Sequence, residues 1–144
     1  MSGQRVFITG ASSGIGAALA AQYASQGAVL GLLGRRGGAL DSLIASFPHP
    51  EKHRAYVVDV RDHAAIAAAA RDFLAHAGGI DVVIANAGIS AGTLTEFAED
   101  IAVFDSIIAT NVVATAATFA PFIAAMVRAA LAANFSGAIR NGIG

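Results

Sequence analysis

Apolar residues in this chain arrive in short unbroken runs rather than in strict alternation with polar ones. Val6 to Thr9, Ala28 to Leu33, Ala55 to Val58 and Asp81 to Ala85 are such runs. Continuous apolar strands are the habit of parallel sheets covered by helices on both faces. Between the runs the period changes to that of a helix. Ile15, Leu19, Ala20 and Tyr23 lie along one side of a helix predicted over 14–26 and stopped by Gly27. A second is predicted over 38–47, ended by Pro48-His49-Pro50. A third, capped by Asp62, carries Ile66, Ala69, Ala70, Phe73 and Leu74 at helical spacing and ends at Gly78-Gly79. Strands alternating with helices predict right-handed crossovers and an α/β, doubly wound parallel sheet of strand order 3-2-1-4.

The stretch Ser106 to Val127 contains no charged residue, and its length alone qualifies it as a membrane-span candidate. Thr110, Asn111, Thr115, Thr118 and Pro121 interrupt it. Intramembrane polar groups need partners, and a buried helix beside the sheet accounts for all five, so membrane insertion is set aside. Composition changes the picture little. Of 144 residues 56% are apolar and 13% charged, with a net charge of −1, which suits one domain with a sheet buried on both faces, or a fragment whose partner surface is absent. No basic block points to nucleic acid. There is no cysteine, and the histidines at 49, 53, 63 and 76 are scattered over loops and helix ends without ligand spacing and read as solvated surface, so neither a disulfide framework nor a metal site is expected. The first residues lack the basic-then-apolar pattern of a secretion signal, and the cytoplasm is the expected compartment.

The candidate chemistry begins at Thr9-Gly10-Ala11-Ser12-Ser13-Gly14-Ile15-Gly16, where a strand meets a helix through a glycine turn. A helix N-terminus presents unpaired N–H groups and the positive end of its dipole, and glycines let a dinucleotide pyrophosphate come close to them. The spacing G-x-x-x-G-x-G differs from the G-x-G-x-x-G of the commonest fingerprint.

Together with Asn86-Ala87-Gly88 at the end of the fourth run, this octet resembles the short-chain dehydrogenase/reductase family, and the similarity extends from about Arg5 to about Arg128. The resemblance implies a Rossmann-like fold without the family's later strands, residues 1–128 as its NAD(P)-binding portion, and 129–144 as a divergent tail. It implies that Gly10, Gly14 and Gly16 form the phosphate turn, with Ser12, Ser13 and Ile15 near the phosphates and adenosine ribose. Asp59 would contact the adenine amino group with Val60 beside the ring, and Asn86, Ala87 and Gly88 would run under the cofactor. Asn111 matches the family's active-site asparagine, which bends its helix and holds a water of the proton relay. At the end of the second strand an acidic residue would select NAD; here stand Arg35 and Arg36, whose guanidiniums favour the 2′-phosphate, so NADP is preferred over NAD.

The family's catalytic serine and Tyr-x-x-x-Lys are absent. The only tyrosines are Tyr23 and Tyr56 and the only lysine is Lys52. Lys52 and Tyr56 stand four apart in the reverse order, and Ser90 reads as a loop serine without a catalytic role. Gly137 to Asn141 faintly resembles the glycine-led start of the family's fifth strand, with Arg140 at a position that should be buried. Two readings follow: a truncated NADP-dependent oxidoreductase, inactive alone, or a non-enzymatic module binding NADP or a partner. The resemblance also implies self-association through the apolar helix 101–128.

Overall fold

The structure is a computed structural model that describes residues 3–89 and 97–141, with side chains to Asn134. Its strands are β1 (Arg5–Thr9), β2 (Val29–Gly34), β3 (Arg54–Val57) and β4 (Val82–Ala85). All pair in parallel in the order β3-β2-β1-β4, as the alternation of elements predicts. The helices are α1 (Gly14–Ser25), α2 (Gly37–Ala45), α3 (His63–Ala77), α4 (Asp100–Ile108) and α5 (Ala114–Asn141), with a 3-10 turn at Pro50–Lys52. Local chemistry sets the ends of α3. The Asp62 carboxylate accepts a hydrogen bond from the Ala65 N–H at 3.1 Å, and Gly78 closes the helix in the left-handed conformation at φ 75°.

Each face of the sheet has its own core. Val6, Ile8, Leu30 and Leu32 turn toward α1 and α2, packing with Ala20, Ala24 and Leu40. Phe7 and Leu33 point the other way, onto Ile66 and Phe73 of α3 and Phe122 of α5. The Phe7 ring lies 4.9 Å from Phe122, 5.6 Å from Phe73 and 5.8 Å from Tyr56, centroid to centroid. Gly31 makes room for this cluster, because a Cβ there would lie 2.7 Å from the Phe7 ring and 2.8 Å from that of Phe73. At the strand N-termini Arg5 pairs bidentately with Asp81, at 2.8 and 2.9 Å, which pins β1 to the start of β4. That guanidinium holds the Asp81 carboxyl below the ordinary carboxylate range.

The long apolar stretch is half-buried, not buried as its polar interruptions suggested. Thr110, Ala114, Thr118 and Phe122, each four residues from the last, form the inner stripe. Val112, Ile123, Val127 and Leu131 are exposed on the outside. The cause is that α5 has the sheet and α3 on one side only. Two of the polar residues find partners along their own helix: Thr118 donates to the Ala114 carbonyl at 2.7 Å and Thr115 to that of Asn111 at 2.8 Å. Residues Asp100–Asn134 remain long and apolar enough to cross a membrane, with a mean hydropathy of 1.7 over an 18-residue window. The backbone is helical through Asn141, so the segment from Gly137 that resembled a strand start is helix.

His53, one of the scattered histidines, is a buried structural residue. Its Nδ1 accepts the Leu30 N–H at 3.2 Å, one position before β3 begins to pair with β2, so the ring extends the ladder. With Nδ1 accepting, Nε2 carries the proton and donates to the Pro48 carbonyl at 3.2 Å. Burial, the largest influence, lowers the pKa from 6.5 and favours the neutral ring. A depressed folded value means that the neutral ring's contribution is complete above pH 6.5 and is lost as pH falls toward the folded value. We expect the melting temperature to fall between pH 7.5 and 5.5, above the range where carboxylates titrate. His53→Ala should melt lower at pH 7.5 and show a flatter profile over that interval; an unchanged profile would remove His53 as its source.

Candidate functional site

The chain reverses direction across the sheet after β3: β1, β2 and β3 step outward on one side, and β4 then adds on the other side of β1. In open α/β sheets, ligands bind at such a switch point, outside the carboxyl ends of the strands. A cleft of about 560 Å³ lies there, lined by the residues after β1, β2, β3 and β4 and by Ser106 and Thr110.

One end of the cleft is the glycine turn. Gly10 and Gly14 have φ of 65° and 56°, conformations that favour glycine. A Cβ on Gly10 would lie 2.8 Å from the backbone of Ala87, and one on Gly16 would run into the Gly10 carbonyl and stand 2.7 Å from Asn86 Nδ2. The turn is thus pressed against the end of β4. Three bonds hold it: Thr9 Oγ1 accepts the N–H groups of Asn86 and Ala87, each at 3.2 Å, and Asn86 Nδ2 donates to the Gly10 carbonyl at 3.2 Å. Ser13 is the N-cap of α1, yet its side chain makes no capping hydrogen bond, and the first turn carries no acidic residue. The first N–H groups of α1 therefore keep their capacity for an anion.

Beside the turn, in the same lining, stand Arg35 and Arg36, directly after β2. Arg36 Nη2 donates to the Ser12 carbonyl at 3.4 Å, and the Ser12 side chain fits over Gly34, where a Cβ would lie 3.2 Å from its Oγ. Asp59 and Val60 follow β3 and line the cleft, Val60 with most of its surface in the core. Arg61 grips the Asp59 carboxylate, with Nη2 at 2.8 Å from Oδ2 and Nε at 3.2 Å from Oδ1, while the Arg61 N–H reaches Oδ1 at 3.0 Å. Those bonds, the side-chain ones foremost, pull the Asp59 pKa down to about 2.

Gly10, Ser12, Ser13, Arg35, Arg36, Asp59, Val60, Asn86, Ala87 and Gly88 thus meet around one cleft, while Gly14, Ile15, Gly16 and Asn111 stand outside its lining. Ile15 is 71% exposed. Asn111 sits in a wide π turn, Ala109–Val113, joining α4 to α5. Its amide is occupied: Oδ1 accepts the Ile89 N–H at 2.8 Å and Nδ2 donates to the Ile89 carbonyl at 2.7 Å, which fastens the segment after β4 to the helix. Tyr56 and Lys52 form no pair at the cleft. The phenol donates to Asp72 at 2.6 Å, and burial first, then that bond, pushes its pKa up, away from the range of a neutral-pH base. Ser90 lies outside the described residues. Among the described residues no group of three or more His, Cys, Asp or Glu side chains is placed to hold a metal.

Sequence reasoning missed Arg61, Ser106 and Thr110. The signal for Arg61 was its place two residues after Asp59 in a turn, and for the others their i, i+4 spacing, which sets a hydroxyl pair on one face of an apolar helix.

A family model described as short chain dehydrogenase matches residues 4–139. The 2-dehydro-3-deoxy-L-rhamnonate dehydrogenase (NAD(+)) of a Sphingomonas species is 36% identical over 92 residues, covering 64% of this chain and 36% of that protein. Among solved structures, a metagenomic short-chain oxidoreductase in complex with NADP superposes with a TM-score of 0.77 at 34% identity, covering 90% of this chain and 59% of the other. The 3-ketoacyl-(acyl-carrier-protein) reductase of Brucella melitensis, complexed with NADH, gives a TM-score of 0.76 at 26% identity, covering 86% and 50%. The chain therefore spans about a third of the length of the first of these and about half that of the others.

Proposed function

The chain belongs to the short-chain dehydrogenase/reductase family, and from that premise we propose that it is the NADP-binding portion of an oxidoreductase acting on a carbonyl or alcohol. Residues 1–128 form that portion in this reading. The residues present fit the cofactor: the uncapped start of α1 takes the pyrophosphate, the close approach of Gly10 and Gly16 to the end of β4 leaves space for no side chain, and Arg35 and Arg36 line the same cleft. When bound, the nicotinamide supplies hydride transfer. The chain's own residues bind and orient; none of those described is set to move a proton. Tyr56 is committed to Asp72, and Asn111 positions the segment after β4. We infer that these 144 residues alone bind NADP without catalysing turnover.

The observation that carries the NADP reading is the pair Arg35 and Arg36 in the cleft lining, where Asp59, the one carboxylate among the described lining residues, is already paired. The relatives leave both cofactors open, since one is complexed with NADP and another with NADH. Calorimetric titration with NADPH and NADH tests the preference. Arg35→Ser/Arg36→Ser should weaken NADPH binding by about 1.5–3 kcal/mol, the worth of charge-assisted bonds, and leave NADH nearly unchanged. Equal losses for both cofactors would sink it. The exposed outer face of α5 supports a second element, self-association through 101–128, read by sedimentation.

A further inference from the structure

The Asp59–Arg61 pair has no part in the strand ladders or in either core. It is half-exposed, with side-chain exposures of 35% and 51%, and both residues line the cleft at the end where Arg35 and Arg36 stand. Three hydrogen bonds from one residue to one carboxylate are more than an incidental surface contact requires. The backbone N–H bond orients the carboxylate, and the fork of the guanidinium closes on it in the planar geometry that favours arginine over lysine. Arg35 stands near enough for its charge to act on Asp59 as well.

An unclamped Asp59 would have two outlets. It would pair with Arg35 and so consume a guanidinium, or it would stay unpaired and repel an incoming dianion. Either weakens phosphate binding at this end of the cleft. Resting on the NADP reading above, we propose that Arg61 is a specificity-positioning residue: by clamping Asp59 it leaves Arg35 and Arg36 uncompensated for the 2′-phosphate. Arg61 need not touch the cofactor to do this.

The test isolates the adenosine end by titrating adenosine 2′,5′-bisphosphate and AMP into the full chain by calorimetry, with thermal melts to confirm folding. Wild type should prefer the bisphosphate. Arg61→Gln should lower the preference for the bisphosphate over AMP about tenfold, and Asp59→Asn in the same chain should restore that ratio, in which the adenine contact common to both ligands cancels. Arg61→Lys, which keeps the charge and loses the fork, should fall between, and it serves if the glutamine variant does not fold. If wild type prefers the bisphosphate and Arg61→Gln keeps the ratio, or loses both ligands equally, the inference about Arg61 is overturned while the NADP reading stands. If wild type binds AMP as tightly as the bisphosphate, or binds neither, it is the underlying reading that fails.

Discussion

Gly16→Ala is expected to cost about 1–3 kcal/mol of stability, the range for an overpacked methyl, and to weaken dinucleotide binding by at least about tenfold. Two effects of opposite sign meet at this position. Gly16 lies in the first turn of α1, where alanine is the better helix former by about 1 kcal/mol. The added methyl, however, meets the Gly10 carbonyl, which is backbone and already accepts the Asn86 amide. Neither can yield without moving the glycine turn away from β4. The steric term should win, and the displaced turn would no longer aim the first N–H groups of α1 at the cleft. Gly14→Ala is the control: apart from the adjoining backbone nothing lies within 4 Å of a Cβ there, so only the left-handed backbone resists, at about 1–2 kcal/mol. Urea melts and NADPH titrations of both variants separate the effects, and a Gly16→Ala protein more stable than wild type would refute the close approach.

Phe7→Ala should be the most destabilising single change in the sheet, at about 3–5 kcal/mol by the usual cost of deleting a buried phenylalanine. Phe7 is fully buried and touches Tyr56, Phe73 and Phe122, so its ring joins β1 to β3, α3 and α5 at once. Gly31 beneath it has no side chain to fill the void. With domain stabilities of about 5–15 kcal/mol, such a loss leaves little margin at physiological temperature. Phe7 also stands two residues before Thr9, whose hydroxyl holds the end of β4, so cofactor affinity should fall with stability. A loss of unfolding free energy below about 1 kcal/mol in denaturant melts would show that the three surrounding rings close over the gap.

Much of the fold was legible in the chain because its signals are local. Apolar runs located the strands to within a residue or two, Asp62 and Gly78 marked the ends of α3, and the alternation of elements led to the observed order. Of the site, the residues were legible but not their mutual contact: the glycine turn and Asn86 stood out in the chain, and the structure brings Gly10 and Asn86 together. Side-chain partners were not legible. The Asn111 amide bonds Ile89, and the Asp59 carboxylate is held by an arginine that the spacing alone did not single out.

The long apolar helix divides the two kinds of information most clearly. Its composition determined that it would be a helix and that it would seek apolar company. Which stripe is covered, Thr110 through Phe122, and which faces outward was decided by the single sheet face and the one neighbouring helix available to it. Hydrophobic periodicity is written into the order of residues, so the sequence by itself determined the elements, their parallel sheet and the glycine turn. Burial, pairing of charges and the tautomer of His53 depend on which distant atoms arrive within 3–4 Å, and only the tertiary structure decided those.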